Sequence, residues 1–300
     1  MRRLYYRSVC ECRRIYYLIC RLWLSESETA AYKLRTRQIE GVTQADGVIL
    51  SYPKSGRTWV ETMLSHLYVR KLGLPATRVL RFEEDHRESS DIPYLFFTHD
   101  YAHVTHGQWL LPKNRSRRFY RNTPTLMIAR HPIDTAVSMF FQQSRREGNV
   151  VEAEVFDFVR SHEGGLATTI HFLNLWAKEL PRIRKHKLVR YEDLAADTNA
   201  AFGAIEQFFG LGFEPSDIRE AVAFAGFENL QRLEKAGDLN DWRFSQGAES
   251  DDDRLKVRRG KVGGYADYFD EAQCRELEKI VADTLDPVYG YLDGKVPRHR

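Results

Sequence analysis

Residues 47–59 read GVILSYPKSGRTW, and the rest of the chain is best understood by working outward from them. An apolar, β-branched run leads into a loop of small residues, which predicts a strand followed by a turn. Beyond the loop, apolar side chains recur at helical spacing, at Val60, Met63, Leu64, Leu67 and Tyr68. A strand, a short loop and a helix start present backbone N–H groups and the positive end of a helix dipole. This unit is therefore predicted to bind an anion.

The loop differs from the common nucleotide-binding pattern G-x-x-x-x-G-K-[ST], in which a lysine directly follows the second glycine. Here Arg57 stands in that place, Lys54 lies two residues before Gly56, and the first glycine is missing. The hydroxyls of Ser55 and Thr58 and the two positive charges still suit a phosphate group.

Two further apolar runs predict buried parallel strands, and each is followed by a residue able to do chemistry. Residues 94–98 lead to His99, and residues 125–129 lead to Arg130. In open α/β sheets, ligands bind beyond the carboxyl ends of the strands. His99 is therefore a candidate general base. Arg130 is a candidate phosphate ligand, because a guanidinium group can donate two parallel hydrogen bonds to phosphate oxygens.

A basic loop near the C-terminus supplies a third candidate anion site. Residues 258–265 read RRGKVGGY, so Arg258 and Arg259 precede Gly260 in a loop able to wrap a phosphate. Residues 75–93 are predicted to be mainly surface loop, and residues 237–257 to be a mobile lid or loop. Further helices are predicted over residues 26–40, 132–143, 151–160, 166–180, 198–210, 215–236 and 270–284, and a further strand over residues 187–191.

These segments resemble the sulfotransferases that use 3′-phosphoadenosine 5′-phosphosulfate (PAPS), and they match that family's motifs in order. Residues 52–59 resemble its 5′-phosphosulfate loop, and Arg130 with Ser138 its motif R-x-P-x-D-x-x-x-S for the 3′-phosphate. Residues 258–263 match its C-terminal R-[KR]-G-x-x-G. The resemblance implies an α/β fold: a single domain with a central parallel β-sheet flanked by helices, of P-loop-kinase-like architecture.

The resemblance also implies a reaction. The sulfuryl group of PAPS would pass to a hydroxyl or amine of a small-molecule, carbohydrate or lipid acceptor, releasing 3′-phosphoadenosine 5′-phosphate (PAP) without a metal ion. His99 would be the general base, and Lys54 would stabilise the leaving phosphate. The cofactor-binding residues implied are Lys54, Ser55, Gly56, Arg57, Thr58, Trp59, Arg130, Ser138, Tyr191, Phe227, Arg258, Arg259 and Gly260.

The match to the family is uneven. Tyr191 lies in a Tyr-Glu-Asp triplet like the family's adenine contact, whereas the segment around Phe227 matches weakly and suits the core equally well. The lysine that the family places two residues before its catalytic histidine is Phe97 here, and Arg57 is a candidate substitute for it. The asparagine that usually follows the phosphate-binding arginine is His131 here.

Residues 41–300 are predicted to form the sulfotransferase domain, preceded by a basic, amphipathic helical extension over residues 1–40. Within it, residues 1–24 carry six arginines against one glutamate, with apolar residues at helical spacing. Such a helix packs on its own domain or on a partner, or else lies peripherally on an anionic membrane surface. The oligomeric state is left open.

The net charge and the cysteines bear on the partners and the compartment of the protein. A net charge of +3 is too small to imply a nucleic-acid partner by itself. The four cysteines, Cys10, Cys12, Cys20 and Cys274, form no disulfide framework, which suits a reducing compartment and predicts a cytoplasmic protein.

Two other functions remain open at this stage. A kinase with an unusual phosphate loop would need Mg²⁺ and a carboxylate at a strand end, and Asp100 is the candidate. A module that only binds PAP or nucleic acid would leave His99 and Lys54 without a purpose. His103 and His106 follow His99 and are predicted to be solvated loop histidines rather than metal ligands.

Overall fold

The computed structural model describes residues 26–105, 108–110, 116–146, 153–161, 164–239, 244, 255 and 257–296. Its strands are β1 (Gly47–Ser51), β2 (Leu95–Thr98), β3 (His103–Thr105), β4 (Gln108–Leu110), β5 (Thr125–Ala129) and β6 (His186–Arg190). Four of them form a parallel sheet in the order β2–β1–β5–β6, and β3 and β4 form a separate antiparallel hairpin. The predicted α/β domain with a central parallel sheet is confirmed.

Eleven α-helices lie within the described residues. They are α1 (Glu26–Gln44), α2 (Arg57–Lys71), α3 (Phe82–Glu88), α4 (Pro132–Phe141), α5 (Val155–Ser161), α6 (Leu166–Glu179), α7 (Tyr191–Ala196), α8 (Thr198–Phe209), α9 (Pro215–Phe224), α10 (Phe227–Ala236) and α11 (Glu271–Thr284). A π-helical turn, Gln142–Arg146, continues α4.

The sheet is covered on both faces, which explains why β1, β2 and β5 are largely apolar and buried. The edge strand β6 carries charged residues as well. Successive side chains of β1 alternate between the faces. Val48 and Leu50 pack in a core shared with α4, α6 and α11. Ile49 packs in a second core shared with α2, α8 and α9. The carboxyl ends of β1, β2, β5 and β6 therefore meet at one edge of a buried sheet, where the candidate site lies.

Two predictions about the first hundred residues were wrong. Helix α1 does not end at Gly41 but runs on to Gln44. A Cβ atom at Gly41 would lie 2.4 Å from the Phe96 ring, so the glycine allows a close approach between α1 and β2. Residues 75–93 are not only loop, because they contain α3, whose Phe82 is buried against Tyr68.

Two boundaries in the second half also differ from the prediction. Tyr191 does not extend β6 but is the first residue of α7. The single helix predicted over residues 215–236 is two helices, because the chain turns at Gly226 between α9 and α10.

Several predicted features lie outside the described residues. They are residues 1–24, His106 and most of the 237–257 loop, and for His103 the backbone is described but the side chain is not. Among the helices that the structure does describe, none combines the length and hydropathy needed to cross a bilayer.

Candidate active site

The loop after β1 leads directly into α2, so that this helix begins at the carboxyl edge of the sheet. Gly56 occupies the N-cap of α2 with φ 94°, a left-handed conformation that favours glycine, and provides no side-chain cap. The 15-residue helix begins at Arg57 and points its N-terminus beyond β1. The N–H groups of its first turn and its dipole favour a bound anion, and the anion site itself stays a prediction.

Two aromatic side chains, Tyr191 and Trp59, pack beside the loop. The Tyr191 ring packs so closely on Gly56 that a Cβ there would lie 2.7 Å from it. The Trp59 ring lies 5.7 Å from that of Tyr191, and its Nε1 donates to the Ala225 carbonyl at 2.8 Å. Glycine at position 56 is therefore required both by its backbone conformation and by the ring above it.

Arg130 joins the two candidate phosphate loops. Its Nη1 donates to the Lys54 carbonyl at 3.2 Å and its Nη2 to the Lys261 carbonyl at 3.3 Å. The guanidinium carbon lies 4.3 Å from the centre of the Tyr191 ring. Its Nε is buried and, among the described residues, has no hydrogen-bond partner. Ser138, the other residue of its motif, is half-buried on α4.

The cations of the C-terminal loop contact two residues that follow the loop, Asp267 and Tyr268. Arg258 lies 3.9 Å above the Phe141 ring and donates to the Tyr268 hydroxyl. Arg259 donates to the same hydroxyl and forms an ion pair with Asp267, which also binds Lys261 at 2.8 Å. Hydrogen bonds from Lys261 and Arg259 lower the pKa of Asp267.

Phe227 belongs to this loop's surroundings rather than to the core. Its side chain is 39% exposed, and a Cβ at Gly260 would lie 2.8 Å from its ring. The hydroxyl of Tyr191 donates to the Gly260 carbonyl at 3.3 Å. The structure therefore brings Tyr191, Gly260 and Phe227 to the same side of the site.

Asp134 anchors the C-terminal loop, a role that its sequence position did not reveal. The sequence indicated only that its charge suits the N-terminus of α4. In the structure its carboxylate accepts the N–H groups of Gly263 at 2.8 Å and Tyr265 at 2.9 Å. The first turn of α4 is thereby fastened to a segment 129 residues further along the chain.

His131, which stands where the resembled family usually has asparagine, is buried and hydrogen-bonded to the C-terminal segment. Its Nε2 donates to the Gly294 carbonyl at 2.9 Å, and its ring stacks 5.3 Å from that of Tyr265. Its backbone N–H donates to Glu192 at 2.9 Å, and Tyr291 donates to the same carboxylate at 2.6 Å. Burial lowers the pKa of His131 to about 4, so the ring is neutral near pH 7.

His99 is held in one tautomer. Its Nδ1 lies 2.8 Å from the Ser51 carbonyl oxygen. Because a carbonyl can only accept a hydrogen bond, Nδ1 carries the proton and Nε2 of the neutral ring carries a lone pair. Ser51 ends β1 and His99 follows β2, so the contact joins neighbouring strands of the sheet. The arrangement fits a general base.

The candidate catalytic lysine lies on the loop itself. Lys54 has φ 69°, and its Nζ donates to Gln142 at 3.0 Å in the π-helical turn after α4. At the position of the family's second lysine, the Phe97 ring packs edge-on against Phe82, 5.9 Å away. That position therefore supplies an apolar contact rather than a charge.

Asp100, the carboxylate that a kinase would need, is engaged elsewhere. It is fully buried and paired with Arg117 at 2.6 Å. Burial raises its pKa to about 6, although Arg117 opposes the shift. Within the ranges described above, no group of three or more His, Cys, Asp or Glu side chains is arranged to hold a metal ion.

Comparison with known proteins gives the class of this protein. Residues 44–288 match the family described as the sulfotransferase domain, and the chain belongs to that family of enzymes. Among relatives, it is 24% identical over 298 residues to cytosolic sulfotransferase 14 of Arabidopsis thaliana, covering 85% of this chain and 81% of that protein. It is 24% identical over 261 residues to flavonol 3-sulfotransferase of Flaveria bidentis, covering 80% and 81%.

Solved structures share the fold at low sequence identity. A mouse sulfotransferase complexed with PAP superimposes with a TM-score of 0.56 at 18% identity, covering 85% of this chain and 93% of that one. Retinol dehydratase, in complex with androsterone and PAP, gives a TM-score of 0.56 at 19% identity, covering 88% and 87%.

Proposed function

We propose that this enzyme transfers the sulfuryl group of PAPS to a hydroxyl or amine of a small-molecule acceptor and releases PAP. One observation carries the proposal more than any other. Arg130 donates hydrogen bonds to the Lys54 carbonyl in residues 52–59, here called the 5′ loop, and to the Lys261 carbonyl in the C-terminal loop. It thereby links the two segments that we assign to the two phosphates. Its buried Nε, which lacks a partner among the described residues, is a donor left for a ligand.

The residues present fit the nucleotide. The first turn of α2, with Ser55 and Thr58, would hold the 5′-phosphate through backbone and hydroxyl donors. Arg130 and Ser138, with Arg258, Arg259 and Gly260, would hold the 3′-phosphate. The adenine would be contacted by Trp59, Tyr191 and Phe227. Arg57, the first residue of α2, would stand in for the lysine replaced by Phe97.

PAPS supplies the activated sulfuryl group, and the protein would supply proton transfer and charge stabilisation. His99 Nε2 would take the proton of the acceptor hydroxyl while the acceptor oxygen bonds to sulfur. The bond between sulfur and the bridging oxygen breaks, and that oxygen stays with PAP. Lys54 would stabilise the charge that it gains. No other reactant is required for this balance.

The acceptor class is proposed from relatives. Several of them are named flavonol sulfotransferases, and one from Cavia porcellus is named a 3-alpha-hydroxysteroid sulfotransferase. These names support a hydroxylated small molecule of the phenol or steroid class, whereas no relative named here acts on a carbohydrate. The relatives named cytosolic likewise support a cytoplasmic enzyme.

Ligand-induced stabilisation tests the cofactor directly. PAP should raise the melting temperature of the full chain clearly, and more than AMP or ATP with Mg²⁺, because only PAP carries a 3′-phosphate. Equal stabilisation by ATP and Mg²⁺ would favour the kinase alternative. Mass spectrometry of a panel of phenols, steroids, sugars and lipids incubated with PAPS would then identify the acceptor.

A further inference from the structure

A strained corner follows the candidate base. Asp100 and Tyr101 have φ values of 43° and 70°, so two consecutive non-glycine residues are left-handed. The Ala102 N–H closes the turn by donating to the His99 carbonyl at 2.9 Å. Such conformations persist only where the surrounding contacts impose them, and they cluster at functional sites. Something must therefore hold this corner in place.

The Asp100 side chain is well suited to hold it. Oδ2 accepts from Arg117 Nε at 2.6 Å, and Oδ1 accepts from the Tyr120 hydroxyl at 3.2 Å. The side chains of Asp100 and Arg117 are 0% and 4% exposed. The guanidinium carbon of Arg117 in turn lies 5.5 Å from the centre of the Trp176 ring. The corner is thus held by an ion pair whose two side chains are both buried.

A closed circuit of hydrogen bonds completes the support. The Thr98 hydroxyl accepts the Asp100 N–H at 2.9 Å and donates to Gln38 Oε1 at 2.7 Å. Gln38 Nε2 donates to the Tyr120 hydroxyl at 2.5 Å, and that hydroxyl donates back to Asp100. The circuit joins the end of β2 to α1 and to the turn that ends at Tyr120. Buried polar networks whose members are satisfied hold one conformation rigidly.

We propose that Asp100, held by Arg117, is a positioning residue for His99. By fixing the corner, it keeps His99 Nδ1 on the Ser51 carbonyl, the contact that leaves the lone pair on Nε2. The proposal deepens, and for its catalytic meaning rests on, the proposed role of His99 as general base. A buried ion pair adds little net stability, and fixing one conformation is a role such pairs can serve.

A purely structural ion pair would behave differently. Breaking it would lower stability and leave the His99 tautomer unchanged in the molecules that remain folded. A positioning pair controls the tautomer itself, because a relaxed corner lets the ring leave Ser51 and protonate at either nitrogen. The tautomer is therefore the decisive measurement, and it requires neither PAPS nor an acceptor.

The test uses the full chain labelled with ¹⁵N-histidine, in which long-range proton–nitrogen spectra distinguish the two tautomers. The His99→Ala variant assigns the signal. Wild-type His99 should show the Nδ1–H form alone. The double variant Asp100→Asn with Arg117→Gln removes both charges together, so neither is left buried and unpaired. It should show both tautomers, with turnover reduced up to about 100-fold and PAP affinity within about twofold of wild type.

Asp85→Asn is the matched control. Asp85 is another buried carboxylate, on α3, and accepts a hydrogen bond from Arg78 Nε at 2.7 Å. Its loss should leave the His99 tautomer unchanged. A single Nδ1–H tautomer and full turnover in the double variant would overturn the proposal. So would a wild-type ring that already shows both tautomers, a result that needs no variant to fold. If His99→Ala keeps full turnover while the tautomer still depends on Asp100, the base role fails and the positioning role stands.

Discussion

The two regions joined by Arg130 are built in different ways. The 5′ loop, residues 52–59, offers an anion the backbone amides at the start of a helix. The C-terminal loop, residues 258–263, instead presents side-chain cations. Asp134, Asp267 and Tyr268 hold it from outside its own sequence.

The difference bears on how each region should respond to change. Backbone donors at a helix start need no rearrangement to meet a phosphate. Arg259 and Lys261, by contrast, are already paired with Asp267, so a 3′-phosphate would have to share or displace that carboxylate. We expect the 5′ side to determine the rate of transfer and the C-terminal side to determine nucleotide selectivity.

The largest effect is expected beside the 5′ loop. His99→Ala should lower turnover by roughly 10²- to 10⁴-fold, the usual contribution of a general base, and leave PAP affinity nearly unchanged. Lys54→Ala should lower turnover and also weaken nucleotide binding, because its amine would contact the phosphosulfate. Steady-state kinetics and calorimetric PAP titration separate the two outcomes.

His186→Ala is the control, because His186 begins β6 and therefore lies at the opposite edge of the sheet from His99. It should retain wild-type turnover. An active His99→Ala enzyme together with an inactive His103→Ala enzyme would assign the base role to His103, a few residues along the chain. Full activity in both would exclude a histidine base here.

The next effect separates the two phosphates. Arg130→Ala should weaken PAP binding by about 1.5–3 kcal/mol, the usual range for a hydrogen bond to a charged group. Binding of adenosine 5′-phosphosulfate, which lacks the 3′-phosphate, should barely change. Arg121→Ala, which removes a guanidinium bonded to the Arg182 carbonyl, is the matched control. Equal losses for both ligands would mean that Arg130 is structural.

The contrast between the two regions also explains what the sequence could predict. Strands β1, β2 and β5 and the residues at their ends were predicted correctly because each signal is local: an apolar run followed by a polar residue. The contacts of Asp134 with Gly263 and Tyr265 could not be predicted, because nothing in either segment identifies its partner.

Local patterns also misled where tertiary packing overrode them. Helix α3 was missed because its single buried aromatic residue, Phe82, is surrounded by charged residues. Tyr191 follows Leu188, Val189 and Arg190 and has a side chain typical of strands, which favours adding it to β6, although it begins α7 and packs on Gly56. The role of Phe227 could not be decided from the sequence. A lone aromatic residue at a helix start looks the same whether its side chain is buried in the core or lies beside a ligand.

Acid should weaken the C-terminal anchorage through His131. Its pKa is about 4 in the folded chain against an ordinary value of 6.5, so the unfolded chain binds more protons between these values. Stability from this group is therefore complete above pH 6.5 and decreases as the pH falls toward 4, by about 2 kcal/mol between pH 7 and pH 5.

His131→Asn tests this contribution, because asparagine keeps a side-chain donor and cannot titrate. Denaturant unfolding at pH 7 and pH 5 should show a smaller loss of unfolding free energy in the variant than in wild type. Asp100 and Glu192, whose pKa values are raised, change stability with pH in the opposite direction, but they are common to both proteins. Identical losses would assign the acid sensitivity to other groups.

The smallest effect is expected at Phe227, and it completes the separation of the nucleotide's parts. Phe227→Ala should weaken PAP binding by about 0.5–1.5 kcal/mol, the usual contribution of an aromatic contact. AMP should lose the same amount, because the two ligands share the adenine. Val288→Ala, which shortens another exposed apolar side chain, should change neither affinity. A loss confined to PAP would instead place Phe227 beside the 3′-phosphate, where its contact with Gly260 would shape the loop rather than the adenine pocket.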